Sequence, residues 1–189
     1  MKALGCLALA SCALTSKSAP LELRYFSPQT GLEPAAARTG PARARLRLGR
    51  LTTSAHLRYA IVHRDSAVES APYQTLRWTE TPDVYVRRSL VHELFDLRRV
   101  EQVLEGDAPA LDVELVGFEE VVHGARHAGR VEVRYELHDD HRVIARGVAA
   151  VERAANGADI EHVVSAIASA MTAVTADVAD RTMAELCPN

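Results

Sequence analysis

Polar and apolar positions alternate along most of the chain, and a helical period replaces the alternation in two places. Residues 21–26 put Leu21, Leu23 and Tyr25 on one face of a short strand. Residues 27–42 hold three prolines and two glycines and read as a loop. From residue 43 the pattern places Arg43, Arg45 and Arg47 on one face and Ala44, Leu46 and Leu48 on the other, until Gly49 breaks the phase as at a bulge. Residues 57–62 and 73–78 make a third and a fourth strand, the latter after a turn containing Ser70, Ala71 and Pro72. Thr81 and Pro82 then open a helix as N-cap and first helical residue, with Val86, Leu90, Leu94 and Leu97 as its apolar stripe and Arg87, Arg88 and Glu93 off it. This helix is expected to run to about residue 95, with a second helical piece over 98–105 ended by Gly106 and Asp107. Three more strands follow at 111–115, 131–137 and 143–151, the first two cleanly alternating, as in an antiparallel sheet with one wet face. A long amphipathic helix begins at Asp159 and carries Ile160, Val163, Val164, Ile167, Met171, Val174, Val178 and Met183 on one side. The order predicts a single α+β domain: a mixed, mainly antiparallel sheet packed against two main helices, the longer one C-terminal.

The chain has 189 residues, 48% of them hydrophobic and 25% charged, which suits one globular domain. After the first dozen residues no unbroken apolar run reaches ten, an argument against a membrane-spanning helix in the body. A net charge of −3 argues against a nucleic-acid partner. Only Lys2 and Lys17 are lysines, and the preference for arginine reads as base composition. The face carrying Arg43, Arg45 and Arg47 is either a site for anionic headgroups or an acidic partner, or a solvated strand face, the commoner case.

The search for chemistry yields little. His123 and His127 are four apart, but they flank a glycine-containing hairpin rather than a helix face, so metal-ligand geometry fails. His138, Asp139, Asp140 and His141 form the next turn, where Asp-Asp is first a turn signal. Glu80 is a lone carboxylate before the first helix, placed to complement its dipole. Trp78, the single tryptophan, reads as an anchor between sheet and helix. No Gly-x-Ser-x-Gly elbow and no Gly-rich phosphate loop occurs. The expectation is a protein that is not an enzyme and has no cofactor or metal.

The N-terminus is more informative. A charged start, a short apolar stretch over residues 3–10 and small residues make a minimal secretory signal. Leu9, Ala10, Ser11 and Cys12 resemble the lipobox of bacterial lipoproteins, in which the cysteine is acylated, and the alternative is a plain signal peptide with an incidental cysteine. Ala3, Leu4, Gly5 and Cys6 offer a second, poorer match, and a start further upstream is also compatible. The division expected is a signal over 1–11, a lipid-anchored tether over 12–20 and a domain over 21–187. The eight residues 13–20 reach at most about 28 Å. With Cys6 removed and Cys12 acylated, Cys187 is left alone, so the mature domain holds together without an internal disulfide.

Cys12, the aromatic strand Arg24, Tyr25 and Phe26, the run Ile61, Val62, His63 and Arg64, the run Trp78, Thr79, Glu80, Thr81 and Pro82, and the following helix with Leu90 and Leu94 together resemble the PqiC-like family. These are auxiliary lipoproteins of ABC-type intermembrane transport systems. The resemblance implies a palmitoylated anchor on Cys12, a position in the outer membrane facing the periplasm, assembly as a homo-oligomeric ring, and an MCE-domain protein as partner. The implied role is to dock or seal the outer-membrane end of a lipid conduit. The alternative is a monomeric periplasmic lipoprotein that itself carries a lipid or other lipophilic ligand. A hydrolase using Glu80 or the loop histidines is a third and poorer reading.

Overall fold

A computed structural model describes residues 21–28 and 40–188. The sequence expectations for 1–20, Cys12 among them, and most of the loop over 27–42 lie outside the described residues. Eight strands form one mixed sheet: β1 (Arg24–Phe26), β2 (Ala44–Thr53), β3 (Ala60–Arg64), β4 (Ser70–Trp78), β5 (Val100–Gln102), β6 (Ala110–His123), β7 (Arg126–His138) and β8 (Val143–Ala154). Two helices, α1 (Pro82–Val91) and α2 (Ile160–Leu186), complete the fold, and a π-helical segment, His92–Leu97, continues α1. The expected α+β class, with the longer helix C-terminal, is what the chain adopts.

β6 is the backbone of the sheet. One of its edges pairs antiparallel with β7 along nearly its whole length, and β7 pairs antiparallel with β8. The other edge is shared: the first half of β6 pairs parallel with β2 and the second half parallel with β3. β2 carries β5, and β3 carries β4 and then β1, so β1 and β5 lie at opposite ends of the strand order. The expected phase break at Gly49 is real, because the β2–β6 register shifts between Leu48 and Leu51.

The core lies on one face of this sheet, under the helices. Leu111, Val113 and Leu115 of β6 and Val131, Val133 and Leu137 of β7 point into it, with Val163, Ile167, Met171, Val174 and Val178 of α2 opposite. α2 spans about 40 Å of helix, and it also meets the length and composition test for a bilayer span. The absence of an unbroken apolar run therefore did not exclude such a helix. In the fold its apolar side is spent on β7 and β8. Trp78 is buried as expected and meets Phe118 and Tyr85 edge-on, at ring distances of 5.3 and 6.3 Å. Ser89 of α1 and Thr175 of α2 share a buried hydrogen bond of 2.7 Å where the helices cross.

Three local expectations are corrected. Residues 98–105 are not helical: Arg99 has φ 57°, which turns the chain out of the π-helical segment, and Val100 enters β5. Glu93 is buried rather than off the apolar stripe, because at i+7 from Val86 and i+3 from Leu90 it shares their buried face, where Arg98 neutralises it. Arg98 also donates to Glu93 O, Ala176 O and Asp180 Oδ1, which ties the segment to α2. Burial works against its charge, and the bonds to Glu93 and Asp180 outweigh that effect. Pro72 lies within β4 rather than before it. β1 pairs only with residues 76–78, so at Pro72 that edge is open and a missing N–H is tolerated.

The two layers approach closely at Gly129 of β7. A Cβ there would lie 2.2 Å from Ile167 N and 2.5 Å from Ala166 C of α2, backbone atoms that cannot step aside. At Gly147 of β8 a Cβ would instead meet the hydroxyl end of Tyr135, at 2.8 Å. Gly129→Ala is expected to lower stability by about 3 kcal/mol through overpacking, and Gly147→Ala by about 1 kcal/mol or less. Thermal and urea unfolding of the two variants beside the parent checks the order.

Candidate functional site

The sheet has two faces with different chemistry, and a bulge in β6 decides which residues go where. The β6–β7 register shifts between Leu115 and Gly117. Before the shift the odd residues of β6 face the helices; after it the even ones do. Phe118 and Glu120 are thus turned into the helical layer and Glu119 to the opposite face. Both glutamates are nearly fully buried, at 2% and 1% exposure, so each needs a partner.

Glu119 receives a two-pronged contact from Arg64, with Nε at 2.8 Å and Nη2 at 3.2 Å. Glu120 lies opposite Gly129, in a row where the backbone of α2 comes close. Tyr73 donates its hydroxyl to Glu120 Oε2 at 2.5 Å, and His127 Nδ1 lies 2.5 Å from Oε1. The His63 ring leans on Tyr73 at 4.7 Å and its Nδ1 meets Asp65 at 3.1 Å. Four strands thus contribute to one half-buried polar cluster on the helical face. Burial, followed by the bond to Glu120, pushes the Tyr73 phenol well above the ordinary tyrosine value. The groups in this cluster satisfy one another, and the arrangement reads as the means of holding a carboxylate inside the domain.

The opposite face of β6, β7 and β8 is open to solvent. Asp112 and Glu114, Arg134 and Glu136, and Arg146 and Val148 line a groove of about 470 Å³ there. Arg134 pairs with Glu114 at 3.3 Å, and Val148 is exposed. The groove's wall is largely apolar, with charges of both signs at its rim, and it is its openness that suits a protein surface better than an apolar ligand, which calls for enclosure.

The residues singled out from sequence fall as follows. His123 and His127 flank the β6–β7 turn and take separate carboxylates, Glu152 at 2.9 Å and Glu120. Asp139 accepts the backbone N–H groups of His141 and Arg142 at 2.8 and 2.9 Å; these bonds hold its carboxyl below the ordinary range. Among the described residues no three His, Cys, Asp or Glu side chains gather as a metal site would need. Glu80 pairs with Arg88 at 2.5 Å, which lowers its pKa. It therefore complements the start of α1 through a side-chain partner as well as through the dipole. Arg45 pairs with Glu101, and Arg47 reaches Ala108 O and Asp140, so these two are engaged within the sheet. Cys187 ends α2, with Sγ 3.3 Å from Arg43 O. Sequence reasoning missed the Glu119–Glu120 pair. Gly117, inside an otherwise regular strand and just before two carboxylates flanked by Phe118 and Val121, was the signal.

The site is thus a one-sided α+β sheet with a structural polar cluster on one face and open charged positions on the other. The model of the family described as ABC-type transport auxiliary lipoprotein component matches residues 29–179, and the chain belongs to that family. A Xanthomonas campestris protein of family DUF330 shares the fold with a TM-score of 0.74 and 21% identity, over 86% of this chain and 96% of that one. A hypothetical protein from Chlamydia trachomatis has a TM-score of 0.55 and 7% identity, over 78% of this chain and all of its own. No curated protein matches in sequence. Membership makes this protein an accessory of ABC-type transport that acts with partners in a transport complex. The family is a lipoprotein family and not a known enzyme family.

The raised Tyr73 pKa sets a pH dependence. A folded-state value above the unfolded value near 10 means that the stabilisation is fully present below pH 10 and is lost as pH rises toward the folded value. Alkaline difference spectra are expected to show a late tyrosine component, that of Tyr73, appearing only with unfolding. Tyr73→Phe removes the late component and lowers stability at neutral pH by about 1–2 kcal/mol.

Proposed function

We propose that this protein is a lipoprotein anchored through Cys12 in the outer membrane, facing the periplasm, where it docks or seals the end of an MCE-type intermembrane lipid conduit. The family match over residues 29–179 carries the reading. The run Leu9, Ala10, Ser11 and Cys12 supplies the anchor, and two or more acyl chains there give stable membrane attachment. Residues 1–11 act as the signal and 12–20 as the tether. A tether of about 28 Å at most keeps the domain beside its membrane, where the end of a conduit arrives. The partner is an MCE-domain protein, and the working form is a homo-oligomeric ring whose subunits present the charged sheet face for contact.

A second reading rests on the same groove: a monomer that carries a lipid or lipophilic ligand itself. The groove's openness and its charged rim weigh for docking.

Cross-linking in native cells, mild extraction of the C-terminally tagged protein and mass spectrometry of what co-purifies separate the two. Recovery of an MCE-domain protein, reduced or lost with Cys12→Ala, is the expected result. A lone monomer from both samples, with lipid bound, contradicts docking and favours the carrier.

A further inference from the structure

Four of the eight large apolar side chains exposed among the described residues gather at one corner of the sheet. Leu21, Leu23, Tyr25 and Tyr59 are 65%, 44%, 60% and 56% exposed. The first three belong to β1 and the residues leading into it. Tyr59 borders the same corner from beyond β4 and from the other face: its carbonyl accepts Trp78 N–H at 2.7 Å, so it shares the row of Trp78 and Phe26 while Tyr25 lies in the next row, with Arg77. The remaining four are dispersed: Val68 and Leu104 in connections, Val143 and Val148 on β8.

The alternation in β1 sends these side chains away from the body. Arg24 reaches back to Glu161 of α2 at 2.7 Å and lies over the Phe26 ring, and Phe26 packs against the core. Leu21, Leu23 and Tyr25 alternate with these and therefore point outward. Among the described residues none of the three joins the hydrophobic core. The corner is also where the chain arrives from residues 13–20, which reach at most about 28 Å from Cys12. Aliphatic side chains flanked by tyrosines, with exposed Arg58 beside Tyr59, are the mixture that suits the boundary between headgroups and acyl chains.

We propose that the β1 corner, through Leu21, Leu23, Tyr25 and Tyr59, inserts into the interfacial layer of the membrane that holds the anchor, and so fixes the orientation of the domain. The proposal rests on the anchoring assigned to Cys12. It adds a second, noncovalent contact that stops the domain swinging on its tether. β5 and the connection carrying Leu104 stack beyond β2 on the first half of β6, whereas β1 stacks beyond β3 and β4 on the second half, so the two are separated along the length of β6.

The test uses the full-length lipidated protein, extracted from its membranes and reconstituted into phosphatidylethanolamine–phosphatidylglycerol vesicles with brominated acyl chains. Tyr25→Trp and, as a second reporter on the same face, Leu23→Trp add a fluorophore at the corner; Leu104→Trp adds one at the far end. The corner reporters are expected to shift to the blue and to be quenched by bromolipid at least about twofold more than Leu104→Trp. Corner reporters that are unquenched and red-shifted, as in water, overturn the proposal. Corner reporters that are blue-shifted yet unquenched by bromolipid also overturn it and assign the corner to a second copy or a protein partner. Flotation of the same vesicles reads the anchor separately. A protein that floats without the quenching contrast refutes the corner alone, and one that does not float refutes the anchor and the corner together.

Discussion

The backbone of α2 rests against the backbone of β7 at Gly129, and most of the domain's organisation follows from that contact. With no side chain between the layers there, the helix sits close to the sheet, and Val163, Ile167 and Val174 share one core with Val131 and Val133. The same closeness seals Glu120, which lies opposite Gly129 in the β6–β7 register. A carboxylate shut in this way must be hydrogen-bonded, and Tyr73 and His127 meet that need from β4 and β7. Arg98 does the same for Glu93 at the far side of the helical layer while binding α2 by Asp180 and Ala176 O. The domain is held by apolar burial and these local polar clusters; Cys187 is the free cysteine among the described residues.

This arrangement divides the work of the two faces. The helical face is consumed by the fold. The opposite face of β6, β7 and β8 keeps charged side chains of both signs around an open groove, and β1 keeps its apolar side turned outward. A domain built in this way is suited to being held in place and touched by other proteins, which is what an accessory of a transport complex requires. The family assignment and the geometry thus point the same way for different reasons: one from sequence across most of the chain, the other from where the polar and apolar surfaces lie.

Much of the fold was legible in the residues because local signals and tertiary packing agree. Thr81 and Pro82 start α1, Gly49 marks the break in β2, and the apolar spacing after Asp159 runs through the whole of α2. Most of the failures share a cause, which is local geometry that changes phase. Glu93 is a different case: its spacing from Val86 and Leu90 already put it on the buried side, and only its charge argued for the outside. Val100, Val103 and Leu104 look helical in spacing, but Arg99 turns the backbone before them. The bulge before Gly117 moves Glu120 from the wet face to the helical one, and alternation read straight through it assigns both glutamates wrongly. The parallel pairing of β2 and β3 on one edge of β6 is a long-range fact that no local pattern encodes. The candidate site was less legible than the fold. Its best sequence signal, Cys12, proposed as the lipid anchor, lies outside the described residues, whereas the groove and the outward side of β1 exist only once the strands are paired.

Native mass spectrometry of the full-length protein, released from its membranes in mild detergent, tests the account most directly. The account predicts a homo-oligomer whose subunits begin at Cys12 and carry the added mass of covalent acyl chains. A monomer without acyl mass, holding a lipid that dissociates on activation, would contradict it.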